Sequence, residues 1–239
     1  MKKSYLLFLY FATHLIPLNA KFLPPFIHGN VTHNKTKKVL YNEEHQVSYK
    51  NGLIEKIVTV YKNPSGKKIG KLTSIFHKNA QLPDTEFIDK RTGIKERTTL
   101  KKGIYGIETT NEKGQVRRGN IDVVDNLVCG QGYHNYIVKN FDNFKVGEQR
   151  KVKFVIPSIR DYFTFTLTYL GALNPKKSDE VSFRLDITNW ILSMFADSFQ
   201  VTYSKKNKTL IKYVGLTNLK NSKNNHYDAT INYTYPEKK

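Results

Sequence analysis

Two strands and the corner between them are encoded by residues 151–171, KVKFVIPSIRDYFTFTLTYLG. Apolar and polar residues alternate on both sides of PSIR, which is the period of a half-buried β-strand. An antiparallel pairing around this four-residue loop sets Phe154 opposite Phe163 and Ile156 opposite Asp161. One face of the hairpin is then apolar, and Asp161 lies at its rim.

Asp161 is the residue of this hairpin that departs from the alternation. A buried carboxylate without partners costs several kcal/mol, and an Asp beside a turn commonly accepts N–H bonds from the backbone of its own loop. We therefore interpret Asp161 as a carboxylate that ties the loop, and not as a ligand-binding or catalytic group. Arg160 is adjacent in the strand and points to the other face, so it is not expected to pair with Asp161.

The same alternation predicts further antiparallel strands. Pairing Phe165 with Leu185 leaves one face of residues 161–187 apolar and the other polar, and pairing Phe199 with Tyr213 does the same for the next hairpin. Residues 227–235 alternate as a last strand.

The polar face of residues 161–187 carries Arg184 and Asp186, two residues apart on the same side of one strand. Their separation predicts an exposed ion pair, which contributes about 0–1 kcal/mol to stability. Nothing in the spacing of the acidic residues selects a pair of catalytic carboxylates.

One principal helix is predicted over residues 133–144. Its apolar positions recur at steps of three and four and include Tyr133, Tyr136 and Phe141, while His134 falls on the opposite, polar side. A second, shorter helix or turn is predicted at residues 188–197, TNWILSMFAD, where Trp190 and Phe195 fall on one side.

The candidate ligand-binding residues are the aromatic residues of the two helical segments and of the strand after PSIR: Tyr133, Tyr136, Phe141, Phe163, Phe165, Trp190 and Phe195.

The predicted fold class is mainly β. About nine to eleven antiparallel strands form a curved sheet, a half-open barrel, that wraps around the principal helix and buries its aromatic face. We expect a single β domain over residues 39–236, preceded by a leader or linker at residues 21–38, where prolines, glycine and polar residues show no sustained period.

Residues 1–20, MKKSYLLFLYFATHLIPLNA, have the order of a secretory signal peptide: a basic start, an apolar run and a small residue, Ala20, before the expected cleavage point. The apolar run is shorter than the roughly 20 residues that a spanning helix needs, and no later segment qualifies. We expect an exported, soluble protein, periplasmic or secreted, with no transmembrane segment after signal removal.

The formal net charge is +19, and 32 of the 39 basic residues are lysines. A surface of this charge attracts anionic partners such as envelope polymers or lipid headgroups. Specific nucleic-acid binding is not predicted, because readout of nucleic acid leans on arginine and the lysines here are dispersed over strands and turns. Genome composition is an alternative explanation of the lysine content.

Cys129 and His134 are the residues that an enzyme could use. Cys129 is the only cysteine; it precedes the predicted helix, where the dipole favours a thiolate. A Cys/His nucleophile needs an oriented His within hydrogen-bond distance, and His134 is predicted to point away from the core, so we expect no catalytic residue. The histidines lack the spacing of a metal site, and no cofactor motif is present.

Residues 121–235, chiefly VKFVIPSIRDYFTFTLTYLG, VSFRLDI and LIKYVGLTNL, resemble an uncharacterised family of exported proteobacterial proteins. The order of hairpins, helix and hairpins also resembles the half-open barrel of the periplasmic lipoprotein-localisation carriers. That resemblance implies a concave apolar face that holds acyl chains, and it assigns no functional residue.

The sequence therefore predicts a non-catalytic binding protein whose curved aromatic face holds a lipid or another apolar or amphiphilic ligand. The alternative is a structural or envelope-interaction protein that binds anionic polymers through its lysines. The observation that separates them is whether the space between helix and sheet is open or packed.

Overall fold

The structure is a computed structural model that describes residues 23–188, 198–222 and 225–236. Fifteen strands of these residues form one curved sheet that does not close. The strands are β1 (Phe26–His33), β2 (Val39–Lys50), β3 (Leu53–Lys62), β4 (Lys68–Ile75), β5 (Asp84–Asp89), β6 (Lys95–Lys101), β7 (Ile104–Thr110), β8 (Val116–Asp122), β9 (Leu127–Cys129), β10 (Gln149–Ile156), β11 (Asp161–Gly171), β12 (Glu180–Ile187), β13 (Phe199–Ser204), β14 (Leu210–Lys220) and β15 (His226–Thr234).

Neighbours in sequence are almost everywhere neighbours in the sheet, whose order is β8-β7-β6-β5-β4-β3-β2-β1-β15-β14-β13-β12-β11-β10-β9. The pairing is antiparallel except between β9 and β10. The first and last strands, β1 and β15, pair in the middle of the sheet, so its two edges are β8 and β9.

The predicted fold class is confirmed, and the strand count is corrected from about nine to eleven to fifteen. Part of the difference comes from residues 26–33, which we placed in a leader or linker and which form β1. Ile27 and Val31 are buried in this strand, while Phe26, His28 and Asn30 are exposed, and both strand edges are paired. The predicted signal peptide lies outside the described residues.

The hairpin of β10 and β11 has the predicted register, with Phe154 opposite Phe163 and Ile156 opposite Asp161. In the next two hairpins the predicted register is displaced by two residues: Leu185 pairs with Leu167, and Tyr213 pairs with Val201. Because the side-chain period of a strand is two, this displacement leaves the paired side chains on their predicted faces. Leu210 is an exception: a bulge pairs it with Tyr203, and it lies on the inner side of the curved sheet.

Helix α1 (Gly132–Asn140), with the 3-10 turn Phe141–Asn143, lies against the inner face of β10–β13. Tyr136, Ile137 and Phe141 are buried there among residues such as Phe183 and Leu167. We call this set the packed cluster. No helix among the described residues is long and apolar enough to cross a membrane.

The two edges of the sheet overlap, because β7 and β8 at one edge pack over β9 and β10 at the other. All three residues of β9 are buried: Val128 belongs to the packed cluster, whereas Leu127 and Cys129 point the other way and pack with Tyr105 and Ile107 of β7. The β9 edge therefore lies inside the β7–β8 edge, and both of its faces are covered.

Candidate functional site

A cavity of about 880 Å³ lies between the inner face of the sheet and helix α1. Small-molecule sites in proteins have volumes of roughly 300–1,000 Å³. The aromatic residues lining it are Tyr61, Phe76, Phe87, Tyr133, Phe154, Phe163, Phe165, Phe199, Tyr213, Tyr233 and Tyr235. The space beside the helix is thus open on one side and packed on the other.

One end of the cavity reaches turns of the chain. The ends of β5, β7, β10 and β14 meet at this end of the sheet, because neighbouring strands are antiparallel. Five basic residues line the cavity there: Lys95, Lys113, Arg117, Arg160 and Lys220. Acidic Asp89, Glu96 and Glu112 are interspersed with them, so this mouth is mixed in charge with an excess of cations.

The structure divides the predicted ligand-binding aromatic residues into two groups. Tyr133, Phe163 and Phe165 line the cavity. Tyr136 and Phe141 are buried in the packed cluster behind it. Trp190 and Phe195 lie outside the described residues.

Cys129 lies in the overlap of the two sheet edges, with 2% of its surface exposed. Burial raises the pKa of its thiol to about 11, although hydrogen bonds with Tyr105 and Thr98 act in the opposite direction. The thiolate that a nucleophile requires is therefore disfavoured here, despite the position of Cys129 just before α1.

His134 corrects the prediction for the polar side of the helix. It lines the cavity and stacks on Tyr203, with ring centroids 5.4 Å apart and Nδ1 3.1 Å from the phenol oxygen. Burial lowers the pKa of His134 to about 4. The polar side of α1 is covered because residues 79–83 pack over it, and Asn135 donates a hydrogen bond to the Ala80 carbonyl at 2.8 Å.

Cys129 and His134 consequently contact different groups. The partners of Cys129 lie on β6 and β7, and the partner of His134 lies on β13. Among the described residues, no group of three or more His, Cys, Asp or Glu side chains could hold a metal ion.

Asp161 is exposed at the corner between β10 and β11. Its carboxylate accepts a hydrogen bond from the Tyr162 N–H at 2.7 Å. The corner itself is closed by the backbone, since the Arg160 N–H donates to the carbonyls of Ile156 at 3.1 Å and Pro157 at 2.9 Å. Asp161 thus bonds to the strand that follows it and not to the PSIR loop.

Arg184 and Asp186 form the ion pair that the sequence predicts, with 2.8 Å between Nε and Oδ2. Both side chains are exposed by more than a third on the outer face of the sheet. The pair contributes at most about 1 kcal/mol and lies away from the cavity.

A polar group inside the cavity was missed by the sequence analysis. Glu43 and His45 of β2 are 6% and 8% exposed, and His45 Nε2 lies 3.2 Å from Glu43 Oε2. His45 Nδ1 is 2.8 Å from Thr59 Oγ1, which accepts a hydrogen bond from the Gln131 side chain at 3.3 Å. The Tyr233 hydroxyl lies 3.4 Å from Glu43 Oε2.

A signal for this group exists in the sequence. In VLYNEEHQVSYK, residues 39–50, Glu43 and His45 share the parity of Tyr41 and Val47, which are buried. The alternation that marked Asp161 therefore marks a carboxylate and an imidazole on the apolar face of β2 as well.

No protein-family model matches the chain, and no curated protein matches it significantly. Among solved structures, it is similar to a β-barrel-like protein of the domain of unknown function DUF1849 from Brucella abortus, with 7% identity, a TM-score of 0.49, and coverage of 90% of this chain and 100% of that one. It is also similar to a porin-like protein from Bacteroides uniformis, with 9% identity, a TM-score of 0.31, and coverage of 89% and 98%. A DUF1329 family protein from Desulfovibrio piger has 12% identity, a TM-score of 0.24, and coverage of 87% and 82%.

Proposed function

We propose that the protein is an exported, non-catalytic binding protein that holds an apolar or amphiphilic ligand, such as a lipid, inside its curved sheet. The observation that carries this proposal is the cavity of about 880 Å³ with its aromatic lining. Burial of apolar ligand surface stabilises a complex by about 25 cal/mol per Å². The wall is mainly apolar, and polar residues line it at the mouth, around Glu43 and at positions such as His134 and Asn218.

The packed cluster supports the same proposal because it makes one wall of the cavity rigid. Phe183, fully buried, contacts the rings of Phe141, Phe144, Tyr169 and Tyr203 at centroid distances of 4.8–5.8 Å. Because Tyr136, Ile137 and Phe141 already hold α1 against β10–β13, the helix can keep its position when the cavity contains no ligand. Export is supported by the order of residues 1–20, which is typical of a secretory signal peptide.

The proposal is tested on protein purified from the periplasm without detergent. Native mass spectrometry and lipid extraction should show a bound acyl compound, and the delipidated protein should bind a fluorescent long-chain probe. If no ligand is released and no probe binds, the proposal is wrong. Salt-sensitive binding to anionic envelope polymer in the same preparation would then favour the structural alternative.

Two variants on one strand localise the binding. Ile57 of β3 lines the cavity, whereas Val58 faces outward and is partly exposed. Ile57→Trp should weaken probe binding at least about fivefold, which corresponds to roughly 1 kcal/mol, because the indole occupies ligand space. Val58→Trp is the matched control and should leave probe affinity unchanged; equal effects of both variants would place the ligand elsewhere.

A further inference from the structure

We propose that the group around Glu43 binds a cationic amine, so that the ligand of the cavity is an amphiphile with an ammonium head group. This inference rests on the proposed function, because it names the polar end of the ligand that the cavity would hold. Its elements are a buried carboxylate that faces the cavity, the absence of a strong cationic partner for it, and the tyrosine rings around it.

Glu43 is held on the inner wall by its position in β2, where it pairs with Gly29 of β1 and Tyr61 of β3. Gly29 makes the close approach possible: a Cβ at this residue would lie 3.1 Å from Tyr233 Cε1 and 3.3 Å from Glu43 Cβ. The Tyr233 ring therefore lies beside the Glu43 side chain because no side chain separates them.

The carboxylate of Glu43 is poorly compensated by the protein. Among the described residues its ion-pair partner is His45, and no Lys or Arg nitrogen is paired with it. The contact between His45 Nε2 and Glu43 Oε2 at 3.2 Å is an ion pair only when the imidazole is protonated, and Nε2 has no hydrogen-bond partner of good geometry among the described residues. The Tyr233 hydroxyl is 3.4 Å away, longer than a normal O–H···O bond. A ligand that brings a positive charge would supply the missing compensation.

Tyrosine rings surround the same carboxylate. Tyr61, Tyr133, Tyr213 and Tyr233 line the cavity, and Tyr41 packs edge-on against Tyr61 with 5.9 Å between centroids. The pKa of each of these five phenols is raised, first by burial and then by the negative charge of Glu43 or of a neighbouring phenol. All five are therefore protonated and neutral near pH 7.

A carboxylate surrounded by neutral tyrosines favours a cationic head group over an anionic one. Aromatic rings attract a cation through their negative faces, and neutral phenol oxygens accept N–H bonds. A carboxylate or phosphate would face Glu43 in a medium of low dielectric, where like charges repel strongly. The five cations that line the mouth of the cavity form no ion pair with Glu43 among the described residues. The lysines of the outer surface act on the buried site only weakly, because salt screens exposed charges within about 8 Å.

The test compares three probes that share a twelve-carbon chain: dodecylammonium, dodecanol and dodecanoate. Each is titrated calorimetrically into delipidated full-length protein at pH 7 and physiological salt, below its aggregation limit. Dodecylammonium should bind at least about tenfold tighter than dodecanoate, with dodecanol between them. Equal or tighter binding of dodecanoate by the unaltered protein overturns the inference without any variant.

Glu43→Gln keeps the size of the side chain and removes its charge, so the preference for dodecylammonium over dodecanoate should fall at least about tenfold. Glu44→Gln is the matched control: Glu44 is the next residue, its side chain is 41% exposed, and it pairs with Lys62 outside the cavity. The control should keep the order of affinities. A preference that survives Glu43→Gln contradicts the inference while binding of all three chains still supports the proposed function. If none of the three probes binds, the inference about the head group and the proposed binding function are both wrong.

Discussion

A pair of leucines tests whether the space beside the helix is open. Leu167 of β11 is 1% exposed and belongs to the packed cluster, whereas Leu72 of β4 is 8% exposed and lines the cavity. Both point to the inner face of the same sheet. The substitution Leu→Phe adds the same volume at each position, so the two variants differ in the space available to the larger side chain.

The structure sets different magnitudes for the two changes. At Leu167 the added atoms meet a cluster of buried side chains such as Phe183 and Val152, and overpacking of this kind costs about 1–3 kcal/mol. At Leu72 the ring can extend into the cavity of about 880 Å³. The additional apolar area covered there, of order 20–30 Å², contributes about 0.5–0.8 kcal/mol at 25 cal/mol per Å², which offsets the small local strain.

The measurement is the free energy of unfolding of the delipidated protein, obtained from urea titration with equal m-values for all variants. Leu167→Phe should lower it by about 1–3 kcal/mol, and Leu72→Phe should change it by less than about 1 kcal/mol in either direction. In a protein of this size, each kcal/mol corresponds to about 2–4 °C in Tm. Equal destabilisation by the two substitutions would refute an open cavity beside β4.

Two further predictions concern the residues singled out as possible catalytic groups. Burial gives His134 a folded-state pKa of about 4 against an ordinary value of 6.5, so the unfolded chain takes up this proton at higher pH and the free energy of unfolding should fall as pH drops from 6.5 to 4. His134→Phe should reduce the dependence of the free energy of unfolding on pH in this window, measured by urea titration. An unchanged slope would contradict a buried, neutral His134. Cys129, with a pKa near 11, should react with a thiolate-directed reagent at pH 8 far more slowly in the folded protein than in urea, and equal rates would show that the thiol is accessible.

Face assignment was predictable because it depends on a local period. The alternation around PSIR places Phe154 opposite Phe163 without any knowledge of the rest of the chain. The two displaced hairpins still show their predicted faces up to the bulges that shift their registers. The displacement itself was not predictable, because it depends on the length of the turn and on the bulge between Tyr169 and Gly171, where the register shifts by one residue.

The helix shows where local periodicity fails. An amphipathic pattern predicts one side against the sheet and the other in water, and His134 was assigned to water on that basis. The structure covers both sides, since Asn135 bonds to the loop carbonyl of Ala80 while His134 stacks on Tyr203. These contacts join residues 55 to 69 positions apart, and no local pattern encodes them.

The comparison of Asp161 with Glu43 shows what parity leaves undecided. Both are carboxylates at apolar-face positions of a strand, and in both cases alternation identifies them. Asp161 is at a strand end, where water solvates it and a single backbone N–H suffices. Glu43 is in the interior of β2, paired with β1 and β3, with 6% of its surface exposed. Depth in the fold, which follows from how the sheet curls, therefore leaves one carboxylate exposed at a strand end and places the other on the wall of a cavity.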